Sequence, residues 1–392
     1  MAELLPLDEA IAEVLARAMP LPSETVPLAG ARGRVLAEPA RAAVDLPPFA
    51  SSAMDGFAVR STDTPGTLVV VERIAAGRPA SRALAAREAM GIATGGVVPD
   101  GADAVVPIED VVDHDNSVEI HSDVVSTANV RPRGGDTAEG DEVVAAGTRL
   151  GAAQIGALAA AGVPEVRVAR RPRAAVLATG TELRAPGESL EPGQIYEANG
   201  VMLSAALDAT GAVVDSIPAV VDEEGAHRAA LERALAADVV VSSGGVSVGP
   251  HDLVRHVARE LGVDEVFWRV AVKPGKPVSF GTRGATLVFG LPGNPVSTLV
   301  GFELFVRPAL RALEGERDPG PRWEAATLAR SIRRNGVRDE LVRARRTDEG
   351  LEPLGGQESH MIVRAAAADA LVHVPRGDGE LAAGASVRFL PL

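Results

Sequence analysis

The sequence predicts an α/β multidomain protein, and three observations carry that expectation. Short apolar or β-branched runs at residues 173–178, 238–241 and 286–289 each end in a loop bearing glycine and polar residues. Helical patterns follow the second and third of these loops, at residues 253–261 and, after Ser297, through about Leu313. The length of 392 residues suggests two to four domains at roughly 150 residues each. In a parallel α/β sheet such loops gather at the carboxyl edge of the strands, where ligands bind.

The run after the 238–241 strand is the most informative: Ser242-Ser243-Gly244-Gly245-Val246-Ser247-Val248-Gly249-Pro250-His251-Asp252. Strand, glycine-rich turn and helix is the layout that brings backbone N–H groups to phosphate oxygens. Glycine is needed there because a side chain would block the approach or forbid the turn. Asp252 stands at the mouth of this turn, where a carboxylate can hold a metal ion beside a phosphate. A packing turn with Asp252 as a helix cap is the competing reading. The first strand ends in Thr179-Gly180-Thr181-Glu182-Leu183, and the third in Gly290-Leu291-Pro292-Gly293-Asn294-Pro295-Val296-Ser297. Between them Lys273-Pro274-Gly275-Lys276-Pro277 sets two lysines on a stiff frame suited to a phosphate or oxyanion.

The remaining elements follow in chain order. Leu7, Ile11, Val14, Leu15 and Ala18 fall at helical spacing after Asp8, a candidate N-cap. Residues 24–28 and 34–37 read as short strands. Residues 47–131 hold several β-like runs, clearest at 69–73, 104–107 and 118–120, and read as a β-rich insertion. Gly134-Gly135-Asp136 precedes a helical run at 151–161 and a strand at 166–168. The tail returns to strands at 340–346, 370–374 and 386–390, with turns at Gly350, Gly377 and Gly384. It reads as a small barrel or sandwich.

Composition removes several function classes. A net charge of −14 argues against nucleic acid or an anionic membrane as a general partner, so an anionic ligand needs a local basic pocket. The absence of cysteine excludes disulfides, thiolate metal sites and a cysteine nucleophile, and fits a cytoplasmic protein. Seven histidines include no HExxH pattern, which disfavours a zinc site; His251 and His256 flank the glycine-rich turn. The N-terminus lacks the basic region of a signal peptide. No run approaches the roughly 20 apolar residues that span a membrane.

The quoted motifs resemble those of the MoeA/gephyrin E-domain family, the molybdopterin molybdenumtransferases of molybdenum-cofactor synthesis. The resemblance covers nearly the whole chain and also includes Ser51-Ser52-Ala53-Met54-Asp55-Gly56, Thr94-Gly95-Gly96, Tyr196-Glu197-Ala198-Asn199 and Gly355-Gly356-Gln357-Glu358-Ser359-His360. It implies a linking domain at 22–46 and 132–169, with the β-rich insertion at 47–131. It further implies a three-layer α/β domain like small molybdopterin-binding proteins at 1–21 and 170–315, and a β-barrel at 316–392. A homodimer is expected, with each cleft built from both subunits, so that Asp55 and Thr94 face the partner's glycine-rich loops.

By the same resemblance the chain joins molybdate to adenylylated molybdopterin and releases AMP, with Mg²⁺ present. The substrate donor would be a molybdopterin adenylyltransferase. Asp55, Asp136, Glu182, Asp252, Lys273 and Lys276 are the implied catalytic set, with Glu182, Asp222 and Asp252 as candidate metal ligands. Substrate binding would fall to Thr94, Thr179, Gly180, Asn199, Ser242, Gly244, Gly245, Ser247 and Gly249, together with Pro292, Gly293 and Asn294. Arg269 stands where relatives carry lysine, and Arg343 and Ser359 would close the oxyanion site from the tail. Asp222 also reads as the N-cap of a helix from residue 223, and Asp55-Gly56 as an ordinary turn pair. Three rival functions stand beside this one: insertion of tungstate, a non-catalytic molybdopterin-binding scaffold, and a generic nucleotide-binding α/β protein.

Overall fold

A computed structural model of the chain describes residues 4–75, 77–245 and 253–392. At its centre is a six-stranded sheet of β1 (Arg173–Thr179), β2 (Val213–Val220), β3 (Val239–Ser243), β4 (Asp264–Trp268), β5 (Ser279–Arg283) and β6 (Thr286–Leu291). Its spatial order is β2-β1-β3-β6-β5-β4. Pairings among β2, β1, β3 and β6 are parallel, but β5 runs antiparallel to both its neighbours, so the expected parallel sheet is mixed.

Alternation along the strands splits the core into two faces. Ala174, Val176, Val239, Val241, Leu287 and Phe289 pack against α1 (Leu7–Leu15), α2 (Asn199–Asp208) and the helical run that begins with α5 (Pro295–Gly301). Ala175, Leu177, Val240 and Val288 face the other way, onto α3 (Glu224–Ala234) and α4 (Leu253–Glu260). Strands buried on both faces are continuous apolar runs, which is why the sequence marks them clearly. α1 starts after Pro6 rather than Asp8, which sits in its first turn without a side-chain cap bond.

In the linking region, Ser23–Pro27 pairs antiparallel with Glu165–Ala169, beside the helix Ala152–Ala160. Residues 34–37 form only isolated bridges, Val35 to Arg149 and Leu36 to Val168. The insertion is a six-stranded mixed sheet of Gly56–Val59, Gly66–Ile74, Glu88–Ile92, Ala104–Pro107, Val111–Asp113 and Ser117–Ile120. The tail sheet contains Glu324–Thr327, Asp339–Thr347, Gly350–Pro353, Ala370–Val374 and Ser386–Pro391. It is joined by Val272–Lys273, which pairs with Asp339 and Glu340 and so ties the tail to the α/β unit.

A buried ion cluster fastens the linking region to the end of the α/β unit. Arg149 donates to Glu314 Oε2 at 2.5 Å, to Glu316 Oε2 at 2.9 Å and to the Gly33 carbonyl at 2.6 Å. Burial pushes the Glu314 carboxyl above its usual range, against the pull of Arg149. Arg149→Met leaves Glu314 without its cation, and a loss of about 3 kcal/mol is expected from the denaturant midpoint. The loss should be smaller at about pH 5 than at about pH 8, because Glu314, already raised, becomes neutral as pH falls.

Candidate active site

The ends of β1, β2, β3 and β6 come together at one edge of the sheet. Ser243 lies in register with Ala178 on one side and Leu291 on the other. The loops that follow are stitched to one another: Gly180 N–H donates to Val220 O at 3.0 Å, and Gly244 N–H to Leu291 O at 3.1 Å. This brings Thr179, Gly180, Glu182, Asp222, Gly244, Gly245, Pro292, Gly293 and Asn294 to one place.

Asn199 bridges two of the loops from the start of α2. Its Nδ2 donates to Ser243 Oγ at 2.8 Å and to Gly293 O at 2.7 Å. The Ser243 hydroxyl sits 3.2 Å from Pro292 O and 3.4 Å from Thr298 Oγ1, and Thr298 donates to Pro292 O at 2.6 Å. Alternation turns Ser242 to the opposite face of the sheet, where its hydroxyl donates to Phe289 O at 3.3 Å. Ser243 and Thr298 are therefore the polar supports of this edge. Period-two alternation after Val241 was the signal for the first; nothing local in the sequence marked the second.

Two buried polar atoms at this edge, Thr179 Oγ1 and Asn199 Oδ1, have no hydrogen-bond partner among the described residues. Such atoms are costly unless something completes them. Gly244 adjoins them at φ +95°, and a Cβ there would lie 2.6 Å from Thr179 O and 2.8 Å from Thr179 Oγ1. Both conformation and space demand glycine.

Two carboxylates gather at the Gly180–Thr181 turn. Asp222 Oδ2 accepts from Thr181 N–H at 3.3 Å and from Thr181 Oγ1 at 3.4 Å, while Asp222 N–H donates to Thr181 Oγ1 at 3.1 Å. α3 begins at Glu224 with Glu223 in the capping position and no side-chain cap bond, so Asp222 is not the helix cap. The Glu182 carboxylate folds over Gly180, with Oε2 2.7 Å from where a Cβ on that glycine would be. Behind Asp222 lies His227, fully buried, whose pKa burial pushes below the usual imidazole value against the pull of Asp222.

The cationic residues are placed unevenly. Lys273 Nζ donates to Glu340 Oε1 at 2.7 Å, and Lys276 is exposed with no ion pair among the described residues. Arg269 follows β4 at φ +76° and lays its guanidinium 3.7 Å above the Trp268 ring. Arg343 is 1% exposed, and its side chain donates to Met361 O, Gly356 O and Glu358 O at 2.7, 2.6 and 3.2 Å. With those donors spent, Arg343 shapes the 356–361 loop rather than presenting itself to an oxyanion. That loop reaches the α/β unit through Val296 N–H, which donates to Ser359 O at 3.0 Å, and so seats Ser359 on the first turn of α5.

The insertion residues form their own group. Thr94 N–H donates to Asp55 Oδ1 at 2.6 Å, and the Thr94 backbone and side chain together hold Asp55 below the usual carboxylate range. Gly56 opens a strand rather than a turn, and glycine is required there because a Cβ would run into the Val106 carbonyl. Asp136 is exposed where the chain re-enters the linking region, its N–H on Leu46 O at 2.9 Å. Among the described residues no hydrogen bond or ion pair joins Asp55, Thr94 or Asp136 to the sheet-edge loops. Ser247, Gly249 and Asp252 lie outside the described residues. No group of three or more His, Asp or Glu suited to a metal occurs among the described residues.

Glycine-bearing loops gathered at one edge of an α/β core, with a β-rich insertion and a β tail, define the class. Residues 5–162 match the MoeA N-terminal region (domains I and II), 175–312 a probable molybdopterin-binding domain, and 325–392 the MoeA C-terminal region (domain IV). The chain is 37% identical to molybdopterin molybdenumtransferase 2 of Mycobacterium tuberculosis, covering 97% of each chain. It is 31% identical to molybdopterin molybdenumtransferase of Staphylococcus aureus, covering 98% of this chain and 95% of that one. A crystal structure of the molybdopterin biosynthesis MoeA protein from Pyrococcus horikoshii superposes with a TM-score of 0.84 at 32% identity over 99% of both chains. A second from the same organism gives 0.87 at 27% identity over all of both. The chain belongs to the MoeA family, a family of enzymes of molybdenum-cofactor synthesis.

Gly244→Ala should cost about 1–3 kcal/mol of stability, read from thermal or denaturant midpoints, because the Cβ meets backbone oxygen at a left-handed φ. Gly140→Ala, at φ +86° with open space around its Cβ, is the control for the conformational part alone.

Proposed function

We propose that this chain is a molybdopterin molybdenumtransferase that inserts molybdate into adenylylated molybdopterin and releases AMP. The single observation that best supports this reading is the stitched set of strand-end loops with two buried polar atoms, Thr179 Oγ1 and Asn199 Oδ1, that have no partner among the described residues. A pterin offers amide and amine edges that complete such atoms, and glycine backbone beside them accommodates phosphate. When the two pterin thiols bind the metal, one oxide of molybdate leaves as water with no change of oxidation state. Water cleaves the phosphoanhydride and AMP departs.

Glu182 and Asp222 fit a magnesium ion by their chemistry: hard carboxylate oxygens drawn to the Gly180–Thr181 turn, leaving other positions to water and substrate phosphate. When bound, Mg²⁺ would neutralise phosphate charge there. Lys276, and Lys273 on release from Glu340, would meet molybdate or phosphate oxygens from the same edge. Arg343 would act by holding the loop that carries Ser359. Asp55, Thr94 and Asp136 would enter the cleft of a second copy, making the homodimer the working unit.

The C-terminal sheet reads as a barrel, supported by the Leu328–Leu351 bridge that links its outer strands. The domain limits given above stand as part of this reading. A cytoplasmic location, a molybdopterin adenylyltransferase as donor, and no nucleic-acid or membrane partner complete it. No helix among the described residues is long and apolar enough to cross a membrane.

The test is AMP release from adenylylated molybdopterin by the full chain with Mg²⁺ and either molybdate or tungstate, scored by activation of a cofactor-free molybdoenzyme. Oxyanion-dependent release with molybdate preferred is expected. Tungstate preference would reassign the metal, and tight pterin binding without release would leave a scaffold. Asn199→Ala should raise the KM for the pterin substrate about tenfold, since it removes a partner from two loops and from the ligand.

A further inference from the structure

We infer that His227 is a positioning residue that sets the orientation of the Asp222 carboxylate at the sheet edge. The inference builds on the reading of Asp222 as a cation ligand. His227 stands in the first turn of α3, its backbone N–H on the Glu223 carbonyl at 3.0 Å. Its side chain is 0% exposed, and neither ring nitrogen has a hydrogen-bond partner among the described residues. A buried imidazole left so is unfavourable until a partner completes it. The polar group that faces it is Asp222, whose Oδ1 lies 3.7 Å from Nε2.

Asp222 therefore stands between two donors from different elements. Thr181 addresses Oδ2 from the β1 loop, and His227 addresses Oδ1 from α3. An approach of less than about 1 Å brings Nε2 to hydrogen-bond distance and uses only side-chain motion. The Nε2–H tautomer is the one that serves. The helix face around His227 is otherwise apolar: Ala230, Leu231 and Ala234 pack with Leu177, Ile217 and Val240. Leucine would satisfy that packing, so the imidazole is explained by Asp222 and not by the core. Outer partners of this kind fix which lone pairs a carboxylate turns toward a cation.

The test uses the full chain with nitrogen-15 in its histidines. Two-bond proton–nitrogen spectra should show His227 as the Nε2–H tautomer, with its Nε2 resonance displaced by Asp222→Asn. By calorimetry, His227→Leu should weaken Mg²⁺ binding about 10- to 100-fold at an unchanged melting temperature. It should raise the apparent KM for Mg²⁺ and leave kcat at saturating Mg²⁺ unchanged. His227→Gln, which keeps a donor at the Nε2 position, should recover most of the affinity. An Nδ1–H tautomer, an Nε2 resonance indifferent to Asp222→Asn, or wild-type Mg²⁺ affinity in His227→Leu overturns the inference. If the unaltered chain binds no Mg²⁺, the cation reading fails instead, and the tautomer and its response to Asp222→Asn decide the pairing alone.

Discussion

The parallel pairing of β3 between β1 and β6 is the constraint on which the site depends. It ends three strands level, with Ser243 opposite both Ala178 and Leu291, so that three loops emerge side by side. A slip of one residue would exchange Ser242 and Ser243 between faces and take the hydroxyl that meets Asn199 out of the site. The apolar alternation holds that register, since Val239 and Val241 belong to one core and Val240 to the other.

On this frame polar side chains do the local shaping. Asn199, Ser243 and Thr298 bind the β3 and β6 loops into one wall, and Asp222 with Thr181 binds the β1 and β2 ends into another. Arg343 does the same for the tail. Its guanidinium is removed from water, a cost met by carbonyls of the 356–361 loop, and that loop in turn docks on the start of α5. A buried arginine in this position works as a mould for a loop. Lys273, paired with Glu340 across the junction to the tail, and Arg269, stacked on Trp268, show cations serving structure beside the proposed ligand edge.

Much of this was legible in advance. The apolar strands, the glycine loops at their ends and the helices behind them announced themselves through period and punctuation, and their motifs led to the MoeA family that the comparisons bear out. What the sequence leaves open is directional. A motif names a run of residues and not the face each one takes, so Ser242 and Ser243 read alike. Arg343 read as an available cation because charge is visible in a sequence and burial is not. Asp222 was equally readable as a helix cap until its carboxylate was seen to face Thr181.

The sequence by itself determined the layered α/β core and the loops that gather at its edge, because hydrophobic periodicity and glycine are local properties of the chain. Only the tertiary structure decided which side chains meet. Asn199 reaches Gly293 across 94 residues, Thr181 reaches Asp222 across 41, and Lys273 reaches Glu340 across 67. Such meetings depend on sheet order and on the reversal of β5, and neither leaves a trace in local spacing. The same holds for His227, whose place in a helix is written in the pattern around it while the carboxylate it faces arrives from another element.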